Sequence, residues 1–281
     1  MRTEEEMFEL ILSVAKSDRR IRAVWLNGSK ASPHAKKDRF QDYDIVYVVK
    51  SLNEFIENTN WLHVFGERII MQKPDAMSMF SVREDRYAFL MLFKDGNRID
   101  LTLVPQSLKK EILLEEKMTK VLLDKDHDLP QLEAPTDLDF WIKKPSESFY
   151  DNCCNEFWWV TTYVAKGICR NDILYAQAHL NQVIRPMLLQ MISWRVGVIT
   201  QFSVSDGKFY NRIPDYLSEA DQEQLLKTYP SGMTEEIWQA LFIAIELFRK
   251  FAREVGHQLG YQYPESDDKK VHGYLESLYK S

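Results

Sequence analysis

Gly28-Ser29, a spacer of twelve residues, and then Asp42-Tyr43-Asp44-Ile45 carry the most pointed chemistry in this sequence. The apolar run at 45–49 (Ile-Val-Tyr-Val-Val) predicts a β-strand. A strand's period of two points Asp42 and Asp44 to one face, with Cα atoms roughly 6.8 Å apart. Two anions on one face of an apolar strand repel each other and gain no packing there. A divalent cation between them removes the repulsion, and hard carboxylate oxygens suit Mg²⁺. The preceding run at 21–26 (Ile-Arg-Ala-Val-Trp-Leu) also reads as a strand, so Gly28-Ser29 forms a turn at a strand end. Backbone N–H groups after such a turn can cradle phosphate.

A third carboxylate enters from a hairpin. Lys94-Asp95-Gly96-Asn97 places an Asp-Gly turn between the apolar runs 87–93 and 98–104. On the return strand Ile99, Leu101 and Leu103 point one way, Asp100 and Thr102 the other. If this strand pairs near residues 42–48, Asp100 reaches the face of the first two acids. Cations held against phosphate, with an anion placed to take a proton from an attacking hydroxyl, need that arrangement. Taken one at a time, each acid also fits the solvated face of a half-exposed strand.

The elements that would hold these residues follow from periodicity. Thr3-Glu4-Glu5-Glu6 is a capping box, followed by Met7, Leu10, Ile11 and Val14 at helical spacing. Residues 51–65 read as a second amphipathic helix and 68–72 as a short strand. Together these predict a five-stranded sheet with helices on one side, ending near residues 128–130. After a linker at 133–145 the texture changes. Residues 149–170, 172–197 and 234–260 are long and apolar at helical spacing, with a short helix at 218–227. Pro186 should kink the second. Trp158, Trp159, Trp194 and Trp238 read as the core of this helical half. The expected fold class is α+β, with one domain at 1–135 and a helical bundle at 136–281.

Composition narrows the partners. A chain of 281 residues can hold two ordinary domains, and 45% hydrophobic with 28% charged residues is ordinary for a globular protein. The net charge of −6 argues against a nucleic-acid surface and is compatible with a cationic small substrate. No apolar run approaches a membrane span, and the N-terminus has no apolar signal core, so a cytoplasmic location is expected. Cys153, Cys154 and Cys169 form no C-x-x-C pair and read as free thiols. His34, His63, His127, His179, His257 and His272 are scattered, and no zinc site is expected.

Gly-Ser, a dozen residues and Asp-x-Asp resemble the signature of the DNA polymerase β-like nucleotidyltransferases. Four blocks carry a closer resemblance: Leu26-Asn27-Gly28-Ser29, Phe40-Gln41-Asp42-Tyr43-Asp44-Ile45, Arg98-Ile99-Asp100-Leu101-Thr102-Leu103 and Cys153-Cys154-Asn155-Glu156-Phe157-Trp158. In this order they resemble the aminoglycoside 6-adenylyltransferases, bacterial streptomycin-adenylylating enzymes, from residue 1 to about residue 263. The resemblance implies a nucleotidyltransferase domain followed by a helical bundle that closes over the cleft. It also implies transfer of AMP from Mg²⁺–ATP to a hydroxyl of streptomycin, release of pyrophosphate, and antibiotic resistance.

By the same resemblance Asp42 and Asp44 bind Mg²⁺–ATP, and Asp100 is a metal ligand, a general base, or both. Gly28 allows close backbone approach, and Ser29 meets the β- or γ-phosphate. Lys30 stands where the family leads one to expect Arg; it keeps the charge and loses the bidentate fork. Lys166 is the best match to a lysine that reaches the triphosphate, though a cation near a helix C-terminus is favoured in any case. Glu156 and Asp151 meet a cationic substrate or cap the start of their helix. The alternatives are another antibiotic, a protein side chain or an RNA end as acceptor, or an inactive nucleotide-binding module. Oligomeric state is not set by the sequence.

Overall fold

The computed structural model describes residues 1–32, 37–80 and 83–280. The chain divides into two compact units, Met1–Asp139 and Phe140–Ser281. In the first, helix α1 (Glu4–Ser17) starts at the expected capping box. The Thr3 hydroxyl accepts from the Glu6 N–H at 3.2 Å, and the Thr3 N–H donates to the Glu6 carboxylate at 2.7 Å. Among the described residues six strands follow: β1 (Ile21–Asn27), β2 (Tyr43–Val49), β3 (Arg68–Gln72), β4 (Tyr87–Phe93), β5 (Arg98–Pro105) and β6 (Thr119–Asp124). They form one mixed sheet in the order β3-β4-β5-β2-β1-β6. β2 and β5 run parallel; the other neighbouring pairs are antiparallel. The β4–β5 turn is the predicted Asp-Gly hairpin, with Gly96 at φ 84° and the Phe93 N–H donating to the Asn97 carbonyl at 2.9 Å.

Alternation along β2 splits the core into two layers. Tyr43, Ile45, Tyr47 and Val49 pack with Met7, Ile11 and Ala15 of α1 and with Phe55, Leu62 and Phe65. Val46 and Val48 face the other way, against Ala23, Trp25, Val104, Ile112 and Leu113. Three expectations are corrected here. The sheet has a sixth strand, β6, whose side chains are mostly half-exposed, which weakens its periodic signal. Helical structure covers both faces, because α3 (Lys109–Leu113) packs opposite α1. Residues 51–65 are two short pieces, α2 (Asn53–Ile56) and a 3₁₀ turn at Thr59–Phe65. The Asn58 side chain accepts from the Asn60 N–H at 3.0 Å, a local bond that competes with a continuous helix.

The second unit is helical: α4 (Glu147–Cys169), α5 (Ile173–His179), α6 (Arg185–Ile199), α7 (Glu219–Lys227), α8 (Thr234–Leu259) and α9 (Glu265–Tyr279). Phe157 of α4 stacks on Phe248 of α8 with ring centroids 3.8 Å apart, and the Tyr150 hydroxyl donates to the Ala252 carbonyl at 2.8 Å. A π-helical segment, Leu180–Ile184, joins α5 to α6. Pro186 stands inside a helical run that continues through α5, the π-helical segment and α6, so its missing N–H removes a helical bond, and the irregularity expected of it is the π-helical turn just before it. Trp158, Trp194 and Trp238 are buried as expected, but Trp159 is 59% exposed and belongs to the surface. Helix α9, rich in charged residues, was not anticipated; it is held by Asp268, buried against Arg249 at 2.6 Å. Among the described residues no helix is long and apolar enough to cross a membrane.

Candidate active site

The parallel pairing of β2 with β5 sets the acids. Asp44 lies opposite Asp100 in register, with Asn27 of β1 opposite Asp44 on the other side. Paired residues of neighbouring strands share a face, so Asp44 and Asp100 project together from the edge of the layer built on Val46, Val48 and Val104. Asp42 directly precedes β2, which begins at Tyr43, so it stands at the mouth of the strand and not within it. Burial, followed by repulsion from Asp100, Asp42 and Glu116, pushes the Asp44 carboxyl up to about 6. Charge concentration of this kind is disfavoured in a merely structural strand.

Arg98 answers part of that charge. Its Nε donates to Asp100 Oδ1 at 2.8 Å and its Nη2 to Asp100 Oδ2 at 2.7 Å, while Nη1 lies 3.6 Å from Asp42 Oδ2. Asp100 first, then Asp42 and Asp44, hold the Arg98 guanidinium charged against the cost of its partial burial. The Arg98-x-Asp100 spacing, which places both side chains on one strand face, was a signal in the sequence that went unused. Glu116, between α3 and β6, adds a further negative charge; burial and Glu115 push its own carboxyl upward. No motif pointed to it.

Gly28 is bound to this cluster by geometry. Its φ is +71°, and a Cβ at this position would overlap Oδ2 of Asp44. The turn it opens is closed by the Ala31 N–H donating to the Gly28 carbonyl at 3.1 Å and the Ser32 N–H to the Ser29 carbonyl at 3.2 Å. The Ser29 hydroxyl accepts from the Gln41 side-chain amide at 3.2 Å, drawing the turn toward the residue before Asp42. Lys30 is engaged elsewhere. Its ammonium pairs with Glu4 at 3.0 Å and sits 4.4 Å from the Tyr43 ring centroid. Tyr43 points to the layer opposite Asp44.

In the helical unit, Asp151, Glu156, Trp159 and Lys166 lie on the exposed face of α4. The Trp159 indole N–H donates to the Tyr163 hydroxyl at 2.7 Å, and the Lys166 ammonium lies 5.6 Å from the Tyr163 ring centroid. The helix is capped by Ser146, whose hydroxyl accepts from the Phe149 N–H at 3.2 Å, and Glu147 is its first-turn acid. Asp151 and Glu156 therefore lie past the first turn and do not cap the helix.

The donor set of Asp42, Asp44 and Asp100 consists of hard oxygens, and the repulsion from Asp100 and Asp42, second to burial in raising the Asp44 carboxyl, is the part that a divalent cation relieves. Among the described residues no three Asp, Glu, His or Cys side chains are gathered as a ready cage. Asp42 and Asp100 are turned onto Arg98 instead. The residues fit a cation in chemistry and placement, provided Arg98 releases them. His34 lies outside the described residues. Cys153 and Cys154 are buried, where burial raises both thiols, and Cys169 is exposed; all three are free.

Comparison with known proteins agrees with the resemblance. The family model described as streptomycin adenylyltransferase matches residues 1–278. An aminoglycoside 6-adenylyltransferase of Campylobacter jejuni is 43% identical over 96% of this chain and 93% of its own length. One of Bacillus subtilis (strain 168) is 42% identical over 100% and 99%. The crystal structure of an aminoglycoside 6-adenyltransferase from Bacillus subtilis, 40% identical and covering 100% of both chains, aligns with a TM-score of 0.49. With a family model spanning nearly the whole sequence and full-length relatives above 40% identity, the chain belongs to the streptomycin adenylyltransferase family and is an adenylyltransferase.

Proposed function

We propose that this enzyme transfers AMP from ATP to a hydroxyl of an aminoglycoside, streptomycin by preference, and releases pyrophosphate. The observation that carries the reading is the register pairing of Asp44 with Asp100 beside a turn whose glycine leaves no room for a Cβ against the Asp44 carboxylate. Asp42, Asp44 and Asp100 would hold Mg²⁺, which supplies charge neutralisation at the triphosphate when bound. Asp100 also accepts the proton of the attacking hydroxyl. Gly28 admits the nucleotide backbone-close, and the Ser29 hydroxyl and N–H donate to a phosphate oxygen. The Ala31 and Ser32 N–H groups are used within the turn, which narrows the phosphate contacts to Ser29 and Lys30. Lys30 reaches phosphate only by leaving Glu4, so its part is the smaller one.

In this reading Lys166 is the point charge for the departing pyrophosphate. Glu156 and Asp151 meet the drug's cations. Streptomycin carries two guanidinium groups, whose paired N–H donors match a carboxylate bidentately. The net charge of −6 supports a cationic acceptor over RNA, which would need a basic track with stacking aromatics. Purified protein incubated with Mg²⁺–ATP and streptomycin, kanamycin or short RNA in parallel tests this. Pyrophosphate and a mass gain of one AMP are expected on streptomycin. Adenylylated kanamycin or RNA with unmodified streptomycin would leave the family standing and remove the proposed acceptor.

A further inference from the structure

Arg98 opens β5 two residues before Asp100, so strand alternation sets both side chains on one face. Its fork takes both oxygens of Asp100, at 2.8 and 2.7 Å, and the remaining nitrogen lies 3.6 Å from Asp42. A planar guanidinium matched to a carboxylate in this way is among the strongest side-chain pairings. Its side chain is nevertheless 42% exposed, so it can swing toward solvent without disturbing the strand. The same two carboxylates are those a divalent cation would use. A cation and a guanidinium cannot both saturate the oxygens of Asp100.

We propose that Arg98 is an internal counter-cation: it holds Asp42 and Asp100 together in the nucleotide-free enzyme and competes with the divalent ion for their oxygens. The inference rests on the reading of this cluster as the cation site, and makes Arg98 a positioning residue acting through the two acids. A cation arriving alone must displace the fork and binds weakly. A cation arriving with nucleotide gains the phosphate contacts as well, and the displaced guanidinium is left beside phosphate oxygens that suit the same fork. Cation binding is thereby coupled to nucleotide binding.

The test is a titration of Mn²⁺ into nucleotide-free protein, with free Mn²⁺ read by electron paramagnetic resonance. Removing a unit charge at this range should tighten Mn²⁺ binding about tenfold or more in Arg98→Ala. Arg98→Lys, which keeps the charge without the fork, should fall between Arg98→Ala and wild type, and it decides the question if Arg98→Ala does not fold. In EDTA, Arg98→Ala should melt below wild type and recover when Mn²⁺ is added. Mn²⁺ affinity equal to or weaker than wild type in the folded variants overturns the proposal. A parallel titration of wild type with a non-hydrolysable ATP analogue separates the two failures. If wild type binds Mn²⁺ with nucleotide while the variants match it without, the Arg98 inference alone falls. If wild type takes up no Mn²⁺ even with nucleotide, the cation site falls and this inference with it.

Discussion

The two units place their candidate residues by different means. In the sheet unit, hydrogen-bonded register fixes Asp44 against Asp100, and a glycine that tolerates no Cβ holds the neighbouring turn. The acids are crowded and partly buried, and the ionised form of Asp44 is disfavoured as a result. In the helical unit, Asp151, Glu156 and Lys166 share the exposed side of α4, spaced by the helix alone. The first arrangement is rigid and works against stability; the second is solvated and adaptable. Under the proposed function, the residues assigned to phosphate and the reacting hydroxyl are the preorganised ones, and those assigned to a large cationic acceptor are the more loosely placed.

Breaking the rigid half should have the largest effects. Asp100→Asn keeps the shape and removes the proposed base, so kcat should fall by about 10³ with little change in KM for ATP. If ATP affinity collapses instead and the pH profile of residual turnover is kept, Asp100 acts mainly as a metal ligand. Gly28→Ala forces a Cβ onto Asp44 at a positive φ. Turnover should drop about 10², and strain of about 1–3 kcal/mol should lower the melting temperature. Full activity in this variant would show that the close approach is dispensable.

The charge crowding itself can be measured. The folded-state value for Asp44 lies near 6, above the ordinary aspartate value of 3.8, so folding favours its protonated form. That contribution is fully present below about pH 4 and is lost as pH rises through 6. In EDTA at pH 7, Asp44→Asn should therefore be more stable than wild type by about 1–3 kcal/mol, with the gap closing toward pH 4. A variant less stable than wild type at pH 7 would remove the crowding argument. On the adaptable half the effects should be smallest. Glu156→Gln should raise the streptomycin KM about tenfold and leave KM for ATP alone, because an exposed guanidinium–carboxylate pair is partly screened by water.

The sequence made the sheet half readable because its signals are short-range. The capping box, the Asp-Gly hairpin and the two alternating strands each depend on neighbours a few residues away. The pairing of residues 98–104 beside 42–48 needed only one guess about strand order. What escaped lies in tertiary context. β6 earns its place from β1 and not from its own pattern, and 51–65 breaks where the Asn58 side chain competes with the helix. Trp159 has a core residue's composition at helical spacing, yet it faces out and bonds to Tyr163. Arg98 went unread because a strand-end arginine is ordinary until its partner's register is known.

Asp44 is the acid that the sheet holds in place against its own electrostatic preference. The direct measurement is pyrophosphate release from Mg²⁺–ATP and streptomycin by Asp44→Asn beside wild type, at saturating substrates and with folding checked by circular dichroism. A folded variant with turnover reduced by about 10³ or more is expected, the scale of losing electrostatic stabilisation of a transferring phosphate. A folded Asp44→Asn that turns over at a near-normal rate would contradict the site assignment.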